Sequence, residues 1–317
     1  MSGLIIGLPS KGRLKPQAEA WLAEAGFTLE IEGGDRGYRA SLKGLPGAEV
    51  RLLSAADIAS ALESGDIHLG VTGEDLLRER GERLDAKVAL LRPLGFGRAT
   101  LVVAAPQSWI DVESMADLAD VAHAYLARTG GRLRVATKYD AQTLAFFARH
   151  GVADYRIVES LGATEGAPAA GVAEIVVDIT TTGATLAANN LKVVSDGVIL
   201  KSQAQLAASL GAAWTPEQLA AVRRLLSAVE ATDRAHRMSS VRWPLAQTAA
   251  ARGVLGPFAP RLVQAWDDAV LAPYDELFDL CAALAAAGVS PVVITRPDYV
   301  FEAQCAAVDG LKAKLGL

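Results

Sequence analysis

In the segment EIVVDITTTGATLAANNL, residues 174–191, the carboxylate of Asp178 closes an apolar run and is followed at once by Thr180, Thr181, Thr182 and Gly183. The β-branched residues Ile175, Val176, Val177 and Ile179 read as a strand buried on both faces. The threonines and glycine read as a turn, and Ala184 to Asn189 has the composition of a helix. N–H groups at a helix start lack intrahelical acceptors, so the backbone and hydroxyls of Thr181, Thr182, Gly183, Ala184 and Thr185 form a cradle suited to a phosphate. An ionised Asp178 would repel that phosphate directly. Its chemical use is to accept hydrogen bonds from something neutral nearby, and ribose hydroxyls fit. Thr and Gly between a strand and a helix are also ordinary turn and N-cap material, so the loop alone leaves both readings open.

Two further junctions have the same order. LIIGLP, residues 4–9, is a buried strand that opens into Lys11, Gly12 and Arg13 before a helix at 15–25. Residues 67–71 form a strand that opens into Thr72, Gly73, Glu74 and Asp75, where the acids read as ordinary helix-start charges. Between them lie strands at 27–32, 37–42 and 49–53 and a helix at 55–63. From Ala99 the pattern begins again, with strands ATLVVAAP, LRVATKY and DYRIVES, helices at 115–125 and 141–151, and one more strand in LKVVSDGVIL. Such alternation predicts mostly parallel sheets covered on both faces, with ligands at the carboxyl ends of the strands. Beyond Trp214 the texture turns helical. Thr215 and Pro216 start a long helix, helices follow at 262–270 and 275–287, VVIT at 292–295 is a short strand, and helix resumes to Lys314.

Composition bounds the function. At 317 residues the chain has room for two or three domains. A hydrophobic content of 51% with net charge -5 excludes a disordered chain and a general nucleic-acid binder, so any phosphate affinity is local. Cys281 and Cys305 lie far apart without metal spacing, which predicts reduced core thiols and no structural zinc. His68, His123, His150 and His236 show no metal spacing either and read as structural. No apolar run approaches membrane-spanning length, and no basic residue precedes Leu4 to Leu8, so the expected location is cytoplasmic.

Glu165, Gly171, Ala173, Val176, Asp178, Ile179, Thr182, Gly183, Thr185 and Leu186 reproduce a long spaced pattern, joined by LPSKGRL at 8–14, GDIHLGVTGEDLL at 65–77, RVATKY at 134–139 and LKSQAQL at 200–206. On these residues the chain resembles the ATP phosphoribosyltransferase family over roughly residues 4–210. The resemblance implies an α/β fold with a two-lobed, periplasmic-binding-protein-like (type II) core, crossed twice by the chain. The lobes would be residues 1–95 with the return segment 191–211, and residues 96–190, followed by the mostly helical region 212–317. It implies attack by adenine N1 of ATP on C1 of 5-phosphoribosyl 1-pyrophosphate with Mg²⁺ carried by the substrate. Asp178 would take the ribose hydroxyls, Thr181 to Thr185 the 5-phosphate, and Lys11 and Arg13 the pyrophosphate charge. Glu165 would bind substrate hydroxyls or the adenine amino group, and Gly12, Thr72 and Gly73 would line the nucleotide or pyrophosphate. Lys138 and Tyr139 end a strand, either at the site or as solvated loop residues.

The chain also departs from the family. Relatives commonly carry an arginine before the Asp-Ile pair of the first lobe, but Ser54, Ala55 and Ala56 precede Asp57 here, so a basic contact is either missing or supplied by Arg51. The segment 120–131 looks longer than the usual turn. Long members end in a βαββαβ regulatory domain that binds histidine, and short ones need an accessory subunit. The tail matches neither on its sequence, so histidine feedback is not carried over, and homo-oligomerisation through an apolar helix face is expected. A non-catalytic solute-binding protein and a phosphoribosyltransferase for another base are the rival readings. The first would bind without turnover, and the second fits poorly because Asp178 has no adjacent acid.

Overall fold

The computed structural model describes residues 3–31, 38–81, 83–160 and 162–317. The expected strand ends at 32 and 37 lie outside them. The chain begins with β1 (Leu4–Pro9), α1 (Leu14–Glu24), β2 (Thr28–Ile31), β3 (Arg39–Lys43), β4 (Ala48–Leu53), α2 (Ala55–Ser64), β5 (Leu69–Gly73), α3 (Glu74–Arg78), α4 (Leu84–Lys87) and β6 (Val88–Pro93). It continues through β7 (Ala99–Pro106), α5 (Met115–Thr129), β8 (Leu133–Thr137), α6 (Asp140–Arg149), β9 (Tyr155–Glu159), β10 (Ile175–Thr180), α7 (Ala184–Ala188), β11 (Leu191–Ser202) and β12 (Ala204–Ser209).

The first sheet has the order β2-β3-β4-β1-β5-β12-β6 and the second β11-β7-β10-β8-β9. Strand β1 runs parallel to β4 and β5, and β8 runs parallel to β9 and β10. The expectation of mostly parallel sheets needs correcting, because β12 is antiparallel to β5 and β6, and β7 to β10 and β11. Each of these antiparallel strands enters its sheet close to a point where the chain passes between the two, as a type II two-lobed core requires. The return strand is corrected as well. Residues 191–202 pair with β7 in the second sheet, and the chain rejoins the first sheet only at β12.

Local sequence explains several boundaries. Ser54 caps α2 by accepting the Asp57 N–H, and Gly65 ends it at φ +86°, a left-handed value that glycine adopts without a Cβ penalty. Ser114 and Asp117 form a reciprocal capping box on α5. That helix runs unbroken to Thr129, so the segment 120–131 is the last two-thirds of a helix and its glycine stop. Central strands bury both faces: all five residues of β5 are buried.

The tail begins with α8 (Pro216–Arg237), capped by Thr215 and Gln218 as its sequence predicts, and then β13 (Met238–Arg242), α9 (Thr248–Val254), β14 (Val263–Trp266), β15 (Ala269–Pro273), α10 (Leu277–Ala286), β16 (Val293–Thr295) and α11 (Ala306–Leu315). Residues 262–270, expected as a helix, instead give β14, a two-residue turn at Asp267 and Asp268, and the start of β15, with Trp266 opposite Ala269. Strands pair antiparallel in the order β14-β15-β13-β16. The region is therefore helical by residue count but built as βαββαβ, the order that the sequence reading had denied it. Val222, Leu225, Leu226 and Val229 of α8 and Val308 and Leu311 of α11 are buried in the core of the first sheet, so the tail is tied to that sheet at both ends. Cys305 is buried there too, while Cys281 is only half-buried. No helix among the described residues is long and apolar enough to cross a membrane.

Candidate active site

Parallel pairing places the loops after β1 and β5 at one edge of the first sheet, and those after β8 and β10 at one edge of the second. These edges meet. Tyr139, just beyond β8, donates its hydroxyl to Asp75 Oδ2 at 2.8 Å, and Ser202 donates to Asp75 Oδ1 at 2.7 Å. Asp75 is 6% exposed and Tyr139 1% exposed, so neither is the solvated loop or cap residue its local sequence suggests. Burial, then the Asp75 carboxylate, pushes the Tyr139 phenol far above its ordinary range, and it stays a donor at every physiological pH.

Strand β10 is held at its start by Glu174, which takes hydrogen bonds from the Arg134 backbone at 2.7 Å and guanidinium at 2.5 Å. Burial opposes ionisation of Glu174, but the Arg134 hydrogen bonds prevail and hold it below the usual carboxylate range. At the other end of the strand, Asp178 is half-buried and accepts the Ile179 N–H through Oδ1 at 2.8 Å. Burial raises its carboxyl above the ordinary aspartate value. The Ile179 N–H and the Lys138 ammonium pull it down, and the like charge of Glu165 pushes it up. Asp178, Glu165 and Lys138 therefore share one electrostatic neighbourhood, with the Thr164 hydroxyl beside Asp178. Ala163, just before the short turn of helix that carries Glu165, sits at φ +45°. A left-handed alanine costs roughly 1–2 kcal/mol, a strain that functional sites often hold.

The loop itself is open. Thr181, Thr182, Ala184 and Thr185 are exposed, and Gly183 holds φ +78°. The Gly183 N–H is turned onto Thr180 Oγ1 at 2.8 Å, and the Ala184 N–H onto Thr182 Oγ1 at 3.4 Å. Helix α7 has only five residues, so its macrodipole is small, and an anion here meets the exposed hydroxyls of Thr181, Thr182 and Thr185 and would have to draw the Gly183 and Ala184 N–H groups off their threonine partners. On the opposite edge Lys11, Gly12 and Arg13 are exposed, Gly12 at φ +74°.

Two residues expected at the nucleotide or pyrophosphate have structural roles as well. Thr72 is fully buried and its hydroxyl donates to the Ala55 carbonyl at 2.7 Å, pinning α2 to β5. Gly73 is buried too, and a Cβ there would collide with Asp75 Oδ1, so its missing side chain makes room for the carboxylate. Arg51 does not replace the missing arginine, because its guanidinium binds Glu49 Oε1 at 2.9 Å and the Asp66 carbonyl at 3.1 Å, behind the carboxyl edge of the sheet. Of these site-edge residues, Tyr139 was left open between site and loop by its sequence, Asp75 read only as a helix-start charge, and Ser202 carried no signal of its own. A buried Asp-Tyr pair 64 positions apart leaves no local signal.

Two α/β sheets, crossed twice by the chain and meeting at the carboxyl ends of their parallel strands around an aspartate and an open Thr-Gly loop, define a two-lobed α/β protein whose cleft suits a phosphorylated ligand. The family model for HisG, ATP phosphoribosyltransferase, matches residues 54–231. The chain is 64% identical over 316 residues to the ATP phosphoribosyltransferase of Caulobacter vibrioides, covering 98% of this chain and 99% of that one. It is 49% identical over 309 residues to that of Nitrobacter winogradskyi, with 95% of each covered. Among solved structures, the ATP phosphoribosyl transferase (HisG:HisZ) complex from Thermotoga maritima matches with TM-score 0.56 at 22% identity, covering 72% of this chain and 96% of that one, which supports the shared fold. The chain belongs to the ATP phosphoribosyltransferase family, whose enzymes are glycosyltransferases of the first step of histidine biosynthesis.

Proposed function

We propose that this chain joins ATP to 5-phosphoribosyl 1-pyrophosphate in the cleft, with the sugar phosphate seated on the second sheet. The observation that carries the placement is Asp178: a half-buried carboxylate at the carboxyl end of β10, next to an exposed loop of threonines and glycine. The ribose hydroxyls donate to Asp178, and the 5-phosphate takes donors from Thr181, Thr182, Gly183, Ala184 and Thr185. The adenine N1 lone pair forms the new bond to C1, and the C1–O bond breaks with its electron pair leaving on pyrophosphate. Positive charge develops on the ribose ring, where Asp178 and Glu165 stand, and negative charge on the leaving group, where Lys11 and Arg13 stand. Preorganised charges of this kind act where charge appears. Mg²⁺ enters as the substrate's own counter-ion on its phosphate oxygens. A location in the cytoplasm and self-association fit a biosynthetic enzyme of this kind. Pyrophosphate release with both substrates, set beside release with each alone, tests the reading. A solute-binding protein would bind without turnover.

We assign residues 1–93 with β12 to the first lobe, 99–202 to the second, and residues 212–317 to a tail with a regulatory role. The βαββαβ order of the tail supports feedback by histidine within this chain. A cleft of about 890 Å³ on its sheet, with Arg261, Trp266 and Tyr274 among its walls, has room for such an effector. Inhibition by histidine that is lost when the tail cleft is altered supports this; dependence on an added accessory subunit favours the short-form arrangement.

A further inference from the structure

Residues 75–79 of the first lobe and 139–142 of the second are joined by five hydrogen bonds. Besides the Tyr139–Asp75 contact, Glu79 Oε1 accepts the Ala141 N–H at 2.7 Å and Oε2 accepts the Gln142 N–H at 3.2 Å. The Gln142 side-chain amide returns to the Asp75 carbonyl at 2.9 Å and to Glu79 Oε2 at 3.4 Å. The first turn of a helix needs acceptors for its free N–H groups, and α6 receives none from its own N-cap, Tyr139. A carboxylate from the other lobe supplies them. Leu76, between the two acids, packs against the hydrophobic cores of both lobes. Ser202, where the chain passes from the second sheet toward the first, is bonded to the same Asp75. The contact thus lies beside the crossing about which the lobes would turn.

The geometry points to Glu79 as a positioning residue: by capping α6 across the cleft it fixes the angle between the lobes at which nucleotide and sugar phosphate meet. Its carboxylate is taken up by the Ala141 and Gln142 amides. The inference rests on the proposed division of substrates between the lobes, because only then does the inter-lobe angle set the distance from adenine N1 to C1. Burial raises the Glu79 carboxyl, against the pull of the Ala141 and Gln142 N–H groups, so holding it there has a cost that a surface cap would not carry.

The test compares the wild-type enzyme with Glu79→Ala, Glu79→Gln and Gln142→Ala by steady-state kinetics, substrate titration and amide exchange. In Glu79→Ala the amides of Ala141 and Gln142 exchange faster, kcat falls about tenfold, and the affinity for each substrate alone stays within about twofold, as expected when alignment and not binding is lost. Glu79→Gln keeps an acceptor and recovers part of kcat. Gln142→Ala gives a smaller fall of the same kind, and it carries the test should Glu79→Ala fail to fold. Unchanged kcat despite faster exchange overturns the inference, as does unchanged exchange. If phosphoribosyl pyrophosphate ignores Asp178, the substrate assignment has failed, whatever the exchange data show for the latch.

Discussion

Replacing Asp178 by Asn separates catalysis from stability at one position. The amide keeps Oδ1 for the Ile179 N–H, 2.8 Å away in the native protein, so the strand end has no reason to move. It exchanges the other oxygen for a donor and removes the charge. A hydrogen bond to a charged acceptor is worth about 1.5–3 kcal/mol, and losing one while weakening a second removes about 2–4 kcal/mol from ribose recognition. At about 1.4 kcal/mol per decade, kcat/KM falls about 30- to 1000-fold. The loss falls mainly on kcat, because the charge faces a ring that becomes positive only in the transition state. Stability moves the other way. The native carboxyl lies above its unfolded value, so the folded state binds the proton more tightly and stability falls as pH rises between the two values. The neutral Asn escapes that loss, and its melting temperature at pH 7 equals or exceeds that of the wild type. Ionised Asp178 is the active form, so the acid limb of wild-type kcat/KM lies above the ordinary aspartate range. Pyrophosphate-release kinetics and thermal melts on the same samples check all three. A variant within about threefold of wild type, or one that melts well below it, refutes the reasoning.

Thr72→Val removes a buried hydroxyl that donates to Ala55. It removes one of the hydrogen bonds to that helix carbonyl and lowers stability by about 0.5–1.5 kcal/mol, with KM for ATP unchanged; denaturant titration beside kinetics separates a pin from a ligand. Gly183→Ala forces a Cβ onto a residue at φ +78°, costs about 1 kcal/mol, and raises KM for phosphoribosyl pyrophosphate by distorting the loop, as initial rates will show. Leu311→Ala cuts a fully buried side chain of the last helix out of the first lobe's core and destabilises by about 2–5 kcal/mol. A melt that loses only the tail, and leaves the first lobe intact, contradicts that packing.

The α/β alternation and the strand-loop-helix order at Lys11 and at Asp178 were legible because they are local: β-branched runs, a positive-φ glycine and capping residues lie within a few positions of one another. What escaped was set by distance. Asp75 follows Gly73 at the start of a helix, and nothing nearby distinguishes a cap from a carboxylate awaiting a tyrosine across a cleft. Thr72 looked like a loop donor, yet it is still in β5, where alternation turns its hydroxyl toward α2. In the tail, VQAWDDAV has a passable helical spacing, but Asp267 and Asp268 are the two turn residues of a hairpin whose partner β13 lies more than twenty residues back. Pairing partners of that kind decide between helix and strand, and a window along the chain does not contain them.

The central claim is that the loop after β10 holds the sugar phosphate with its diol on Asp178. A crystal of the wild-type enzyme soaked with 5-phosphoribosyl 1-pyrophosphate tests it most directly. The account predicts the 5-phosphate against the backbone of Thr181 to Thr185 and both ribose hydroxyls within hydrogen-bonding distance of the Asp178 carboxylate. A sugar phosphate seated elsewhere in the cleft, with Asp178 touching no hydroxyl, would contradict it.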